Sequence, residues 1–126
     1  MIYFEQPKYV EFFRNSSKFR KLNVPPVDIT SVPDLKKISF CTTCMNRLHD
    51  LRRTLPQNIL DNSGYSNLEF VILDYSSEDG LQEWAKTHVG LFIEQGLVQF
   101  YRTNTHHRYR PSHARNVSFR LATGDI

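Results

Sequence analysis

From Lys37 onward, apolar and polar residues follow two different periods. Ile38-Ser-Phe-Cys-Thr42 reads as a short strand. Leu48, Leu51, Leu55 and Ile59 then recur at the spacing of a helix with one buried stripe. Pro56 falls inside that stripe, where it removes an N–H and crowds the preceding turn, so a kink or an end to the first half is expected. Asn62-Ser-Gly64 closes the segment, Gly64 offering a left-handed stop. Leu68-Glu-Phe-Val-Ile-Leu-Asp74 is a second strand. It is apolar on both faces from Phe70 to Leu73, the pattern of a strand inside a parallel sheet covered by helices. Ser76-Ser-Glu-Asp79 has the form of a capping box, with Asp in place of Glu, ahead of a helix whose inward stripe is Leu81, Trp84, Ala85 and Val89. Leu97-Val-Gln-Phe-Tyr101 is a third strand. Ser112 is placed to cap a third helix with inward face Ala114, Val117, Leu121 and Ala122, ended by Gly124.

The order β-α-β-α-β-α predicts an α/β fold: a three-layer α/β/α, doubly wound, mainly parallel sheet with right-handed crossovers. Ligands of such sheets bind beyond the carboxyl ends of the strands. Three segments fall there: Thr42 to Arg47, Asp74 to Asp79, and Arg102 to Arg115.

Residues 1–36 stand apart from this pattern as an N-terminal extension, with 37–126 as the folded unit. Tyr3, Phe4, Tyr9, Phe12, Phe13 and Phe19 crowd the extension with aromatics. A short helix from Pro7 to Arg14 is compatible with it, and Lys18, Arg20 and Lys21 form a small basic cluster. Pro25-Pro26 and Pro33 break regular structure. An arm that touches a membrane surface or a partner is one reading. An extension packed over the domain is the other, and the cost of exposing so many aromatics favours it.

Composition changes this picture little. The chain has 126 residues, 40% hydrophobic and 23% charged, which is globular and excludes wholesale disorder. No stretch approaches the roughly 20 apolar residues of a membrane helix, and the first residues lack a signal-peptide pattern. A formal charge of +3 without a clustered basic face argues against duplex nucleic acid but suits an anionic small molecule. Two cysteines cannot build a disulfide framework, and reduced thiols in a cytoplasmic setting are expected.

Each carboxyl-edge segment admits a chemical reading. Cys41-Thr-Thr-Cys44 invites a thiol oxidoreductase, but it lacks a turn-forming Gly-Pro and a second pair for zinc. Otherwise Thr42 and Thr43 offer hydroxyls to a ligand, Asn46 is placed to cap the next helix, and Arg47 stands by an anion at its positive end. Asp74 follows an apolar strand directly, so its carboxylate either accepts from a ribose hydroxyl or base N–H, or organises the turn together with Ser76. Arg102, Arg108, Arg110 and Arg115, with His106, His107 and His113, make the third segment the most positive in the chain, suited to a diphosphate. There is no GxGxxG and no Walker motif.

Ile38-Ser-Phe-Cys-Thr-Thr-Cys-Met-Asn-Arg47, Phe70-Val-Ile-Leu-Asp-Tyr-Ser-Ser77, and His113-Ala-Arg-Asn116 followed by Ala122-Thr-Gly-Asp-Ile126 together resemble the family 2 glycosyltransferases, whose nucleotide-binding half has the GT-A fold. The resemblance implies that Thr42 and Thr43, with Arg47, line a nucleotide pocket. It implies that Asp74 contacts the base beside Ser76, and that Arg115, flanked by His113 and Asn116, approaches the nucleotide or its phosphates. The implied donor is a nucleotide-diphosphate sugar, a UDP-sugar in particular. A divalent metal, Mn or Mg, is implied in the intact family, held by an Asp-x-Asp motif that follows the Gly-Asp-Ile element. On this reading the chain is a truncated donor-binding half. It holds no catalytic residue and binds no metal alone, and the acceptor site and base lie later. In the GT-A topology the strands lie third, second, first, with a fourth beside the first. Ile38–Thr42 is then an exposed edge with a propensity for self-association. A non-catalytic nucleotide- or partner-binding module is the alternative from another class.

Overall fold

The computed structural model describes residues 35–126. The aromatic extension, with its expected helix and proline breaks, lies outside the described residues. Three strands, β1 (Ile38–Cys44), β2 (Leu68–Tyr75) and β3 (Val98–Thr103), form a parallel sheet in the order β1-β2-β3. Four helices occur among the described residues: α1 (Leu48–Asp61), α2 (Leu81–His88), α3 (Gly90–Glu94) and α4 (Pro111–Leu121). The fold is the α/β architecture the pattern predicts, with β1 at the outer edge.

The two-sided burial of β2 explains the layers. Phe70 and Ile72 face one side, where they meet Leu51, Leu55 and Ile59 of α1, Leu81 and Ala85 of α2, and Phe92 of α3. Val71, Leu73 and Tyr75 face the other, where Ala114, Val117 and Leu121 of α4 cover them. Register extends this division across the sheet. Phe70 lies beside Phe40 and Val98, and Asp74 lies beside Cys44 and Arg102. Thr42 and Cys44 therefore share the α1 face with Asp74. Thr43 and Cys41 share the α4 face with Tyr75.

Several local expectations are corrected. Of the two outcomes expected at Pro56, an end to the first half of α1 does not occur: the helix runs on, since one missing N–H is offset by the buried Leu51, Leu55 and Ile59 stripe. Ser76-Ser-Glu-Asp79 does not cap α2: that helix starts after Gly80, which is left-handed at φ 87°. Asp79 instead accepts from the Leu48 N–H at 2.8 Å and so serves the start of α1. Asn46 does not cap α1 either; Arg47 is the N-cap residue, and Asn46 Oδ1 accepts from the Glu78 N–H at 2.8 Å. Ser112 lies inside α4, whose first residue is Pro111, a residue pre-set for that position. Helix α4 ends at Leu121, before Gly124. Strand β3 runs on through Arg102 and Thr103, both of which the sequence reading assigns to a loop. Helix α3 has no counterpart in that reading, because a five-residue helix carries too few periods to register.

Candidate functional site at the carboxyl edge of the sheet

Because all three strands are parallel, their carboxyl ends and the loops that follow share one edge. Asp74 stands at its centre, fully buried. Its Oδ1 accepts from the Ser77 N–H at 2.9 Å, and its Oδ2 accepts from Arg102 Nη1 at 2.5 Å. The register pairs Asp74 with Arg102, so this is a cross-strand ion pair set by the sheet itself. Arg102 also donates to the Ser77 carbonyl at 2.9 Å, tying the second loop to the third strand. Burial raises the Asp74 carboxyl above its ordinary value, and the Ser77 and Arg102 bonds only partly offset this. The expected anion-binding role of Arg102 is thereby corrected: its guanidinium is committed to Asp74 and Ser77.

Ser76 adopts a left-handed backbone at φ 57°, which costs a non-glycine residue of order 1 kcal/mol. Its hydroxyl is the hub that holds this turn. It donates to the Thr103 carbonyl at 2.7 Å, lies 3.0 Å from Thr103 Oγ1, and accepts from the His106 N–H at 3.2 Å. Asn46, also left-handed at φ 55°, is held similarly: its N–H donates to Ser77 Oγ at 3.0 Å. The three loops are thus bonded to one another through Ser76, Ser77 and Asn46.

The α4 face of the edge carries an aromatic cluster. Tyr75 is fully buried, and its hydroxyl lies 2.8 Å from His113 Nδ1. The His106 ring stacks on Tyr75 with centroids 4.4 Å apart, and Tyr109 meets Tyr75 edge-on at 5.7 Å. Thr43 Oγ1 and Tyr109 Oη are 2.6 Å apart, so the loop after β3 reaches across the end of β2 to β1. Burial, followed by the proximity of His113 and Arg110, lowers the His106 pKa, and its Nε2 is buried without a hydrogen-bond partner. The neutral ring suits this stack. Sequence reasoning missed Tyr75 and Tyr109. The available signal is alternation: a residue next to Asp74 on a strand must face the helix that carries His113.

The expected binding residues divide between two places. Thr42 and Asp74 lie on the α1 face, with Arg47 at the start of α1. Thr43, Ser76 and His113 belong to the loops and aromatic cluster on the α4 side. Arg47 is exposed and pairs with Asp50 through Nε at 2.7 Å and Nη2 at 2.5 Å. Arg115 and Asn116 are exposed on the first turns of α4. Arg108 and Arg110 are exposed on the loop before it.

The thiols do not form a working pair. Cys41 packs with the α4 cluster and Cys44 with the α1 cluster, on opposite faces of β1. Burial pushes the Cys44 thiol up to about 11 and also raises Cys41, whereas a redox dithiol needs a lowered one. Among the described residues, no three His, Cys, Asp or Glu side chains are grouped to hold a metal ion. None of the described helices is long and apolar enough to cross a membrane.

Comparison with curated proteins and with solved structures gives no match. The family model described as Glycosyl transferase family 2 matches residues 39–126, from β1 to the last residue, and the chain belongs to that family.

Proposed function

We propose that the carboxyl edge binds the nucleotide-diphosphate sugar donor of a glycosyl transfer, with a uridine nucleotide as its core. The observation that carries this reading is the buried Asp74–Arg102 pair at the end of the central strand, which holds the second loop directly and, through Ser77, the first. An ionised carboxylate whose burial works against it is a costly feature, and such features concentrate at sites of binding and chemistry. Family membership supports the same edge.

In this reading the groups that solvent reaches, half-buried Thr42 and Thr43 among them, meet the ligand first. Thr42 and Thr43 offer hydroxyls at the end of β1. Arg47 supplies charge at the start of α1, and Arg115 with Asn116 supplies charge and amide groups near the start of α4. Asp74 is sealed from solvent and holds Ser77 and Arg102, so it fixes the loops and reaches a base only where Arg102 yields. Ser76 and His113 hold the third loop in place. The family generally uses a divalent metal, Mn or Mg; among the described residues no His, Cys, Asp or Glu cluster forms a site for one. The two free thiols, Cys41 and Cys44, fit a reducing cytoplasm.

Titration with UDP, followed by backbone amide shifts, tests this reading. We expect weak binding, millimolar to high micromolar, with shifts confined to residues 42–47, 74–79 and 102–116 (an affinity of about 4–6 kcal/mol). Shifts elsewhere, or none at millimolar UDP, would refute it. Asp74→Asn should weaken binding severalfold by loosening Arg102 and the second loop.

A further inference from the structure

The opposite edge of the sheet holds a second buried carboxylate that the donor reading does not use. Glu69 is 1% exposed and lies near the start of β2, on the α4 face. Four donors converge on it. Ser39 Oγ reaches Oε1 at 2.6 Å, and the Thr123 N–H reaches Oε1 at 2.6 Å. Thr123 Oγ1 donates to Oε2 at 2.9 Å, and Lys37 Nζ lies 3.2 Å from Oε2. Burial alone would raise this carboxyl, but the Ser39, Thr123 and Lys37 bonds outweigh it and hold the group below its ordinary value.

Those donors come from two segments distant in sequence, β1 with the residue before it and the chain after α4. Further bonds follow the same junction. Gly124 donates its N–H to Ser39 Oγ at 2.8 Å, and Lys37 N donates to Asp125 Oδ2 at 2.9 Å. The Lys37 carbonyl accepts from the Asp125 N–H at 2.7 Å and from the Ile126 N–H at 3.2 Å, while the Ser39 N–H donates to the Ile126 carbonyl at 2.9 Å. The last two bonds have a defined meaning. In a parallel ladder a residue donates to the residue before its partner and accepts from the residue after it. Ile126 does both around Ile38, so it stands in parallel register with Ile38 on the open edge of β1. Gly124 is required at the approach: a Cβ there would lie 2.4 Å from Ser39 Oγ and 2.8 Å from the Lys37 carbonyl.

We propose that Glu69 is a positioning residue: through Ser39 and Thr123 it docks the segment Thr123–Ile126 against β1 and fixes the parallel Ile38–Ile126 register at the strand edge. The inference stands independently of donor binding. A chain continuing in this ladder places alternate residues on the Asp74 face and climbs toward the carboxyl edge, so an error in the Glu69 contact would shift what reaches that edge by one face.

Amide hydrogen exchange of the 126-residue protein tests it, with Ser39 and Asp125 as reporters and Val71 and Leu73 as core references. In Glu69→Gln the two reporters should lose protection by about tenfold or more while the core references hold. In Gly124→Ala, which leaves the core untouched, the same two reporters should lose protection to a similar degree. UDP-induced shifts at the opposite edge should persist in both variants where they occur in the parent chain. Reporter protection unchanged in both variants overturns the proposal. So does a uniform fall across reporters and references, which would make Glu69 a general stability group. Should Glu69→Gln not fold, Gly124→Ala together with Thr123→Val decides, since both alter only the docked segment.

Discussion

Glu69 and Asp74 lie at opposite ends of the same strand, both buried and both ion-paired, yet their environments shift them in opposite directions. Glu69 receives four donors and is held below its ordinary value. Asp74 receives the Ser77 N–H and Arg102, and burial prevails, raising it. One end of β2 is therefore satisfied at neutral pH and the other is under electrostatic strain. On the reading proposed above, the difference separates a structural junction from a donor site: the first is held closed, while the second keeps a charge whose partners the donor would rearrange.

The strongest way to break this comparison is to remove the partner at the strained end. Arg102→Met leaves an ionised carboxylate buried without its cation, a change that typically costs about 3–5 kcal/mol. Denaturant unfolding at pH 7 should show a loss of that order. Because Asp74 is raised above 3.8, the folded state holds its proton more tightly than the unfolded chain, and ionisation costs stability as pH rises through that window. The Arg102→Met deficit should therefore shrink on acidification. A deficit independent of pH would mean that Arg102 acts by packing alone.

The opposite end should respond with the opposite sign. Glu69→Gln keeps the shape but removes the charge, at a cost of about 2 kcal/mol near neutral pH. Glu69 is lowered from 4.5, so its contribution is fully present above that value and is lost as pH falls through the lower folded-state value. The difference in stability between the parent chain and Glu69→Gln should close at acidic pH, as read from unfolding midpoints between neutral pH and about pH 3. Ser76→Ala at the site end is expected to cost slightly less, about 1–2 kcal/mol: the left-handed strain remains while the bonds to Thr103 and His106 are lost. Faster amide exchange at residues 104–107, relative to β2, would verify it.

The same contrast explains what the sequence made legible. Leu48, Leu51, Leu55 and Ile59, and the apolar run Phe70 to Leu73, carry periods that only one burial pattern satisfies, so the sheet and its layers could be read in advance, while the strand order came from the family resemblance. Asp74 could be found because a carboxylate after an apolar run is conspicuous. Its partner could not, because Arg102 pairs with it through a register that no local pattern contains. Asp79, Asn46 and Ser76 failed as local caps for the same reason: each bonds across loops rather than within its own segment. Glu69 passed unnoticed as one polar residue in an apolar strand, since the segment that satisfies it arrives only after α4.

The smallest expected effect lies on the α4 side of the site end, where the Thr43 and Tyr109 hydroxyls meet at 2.6 Å. Tyr109 is exposed, so water can replace its partner and the net value of the bond is modest. Tyr109→Phe should therefore cost about 0.5–1 kcal/mol at most, while the ring keeps its edge-on contact with Tyr75. The informative change is local. The Thr43 contact is where the loop after β3 is fastened to β1, across the end of β2. Without it, residues 107–110 should exchange amide protons several times faster while His106, whose N–H donates to the Thr103-bonded Ser76 hydroxyl, stays protected. If UDP binding uses the Thr43 hydroxyl, the same variant should bind slightly more tightly, because a competing intramolecular partner has been removed. An unchanged exchange pattern would show that the Tyr75 stack, rather than the Thr43 bond, holds this loop against the sheet.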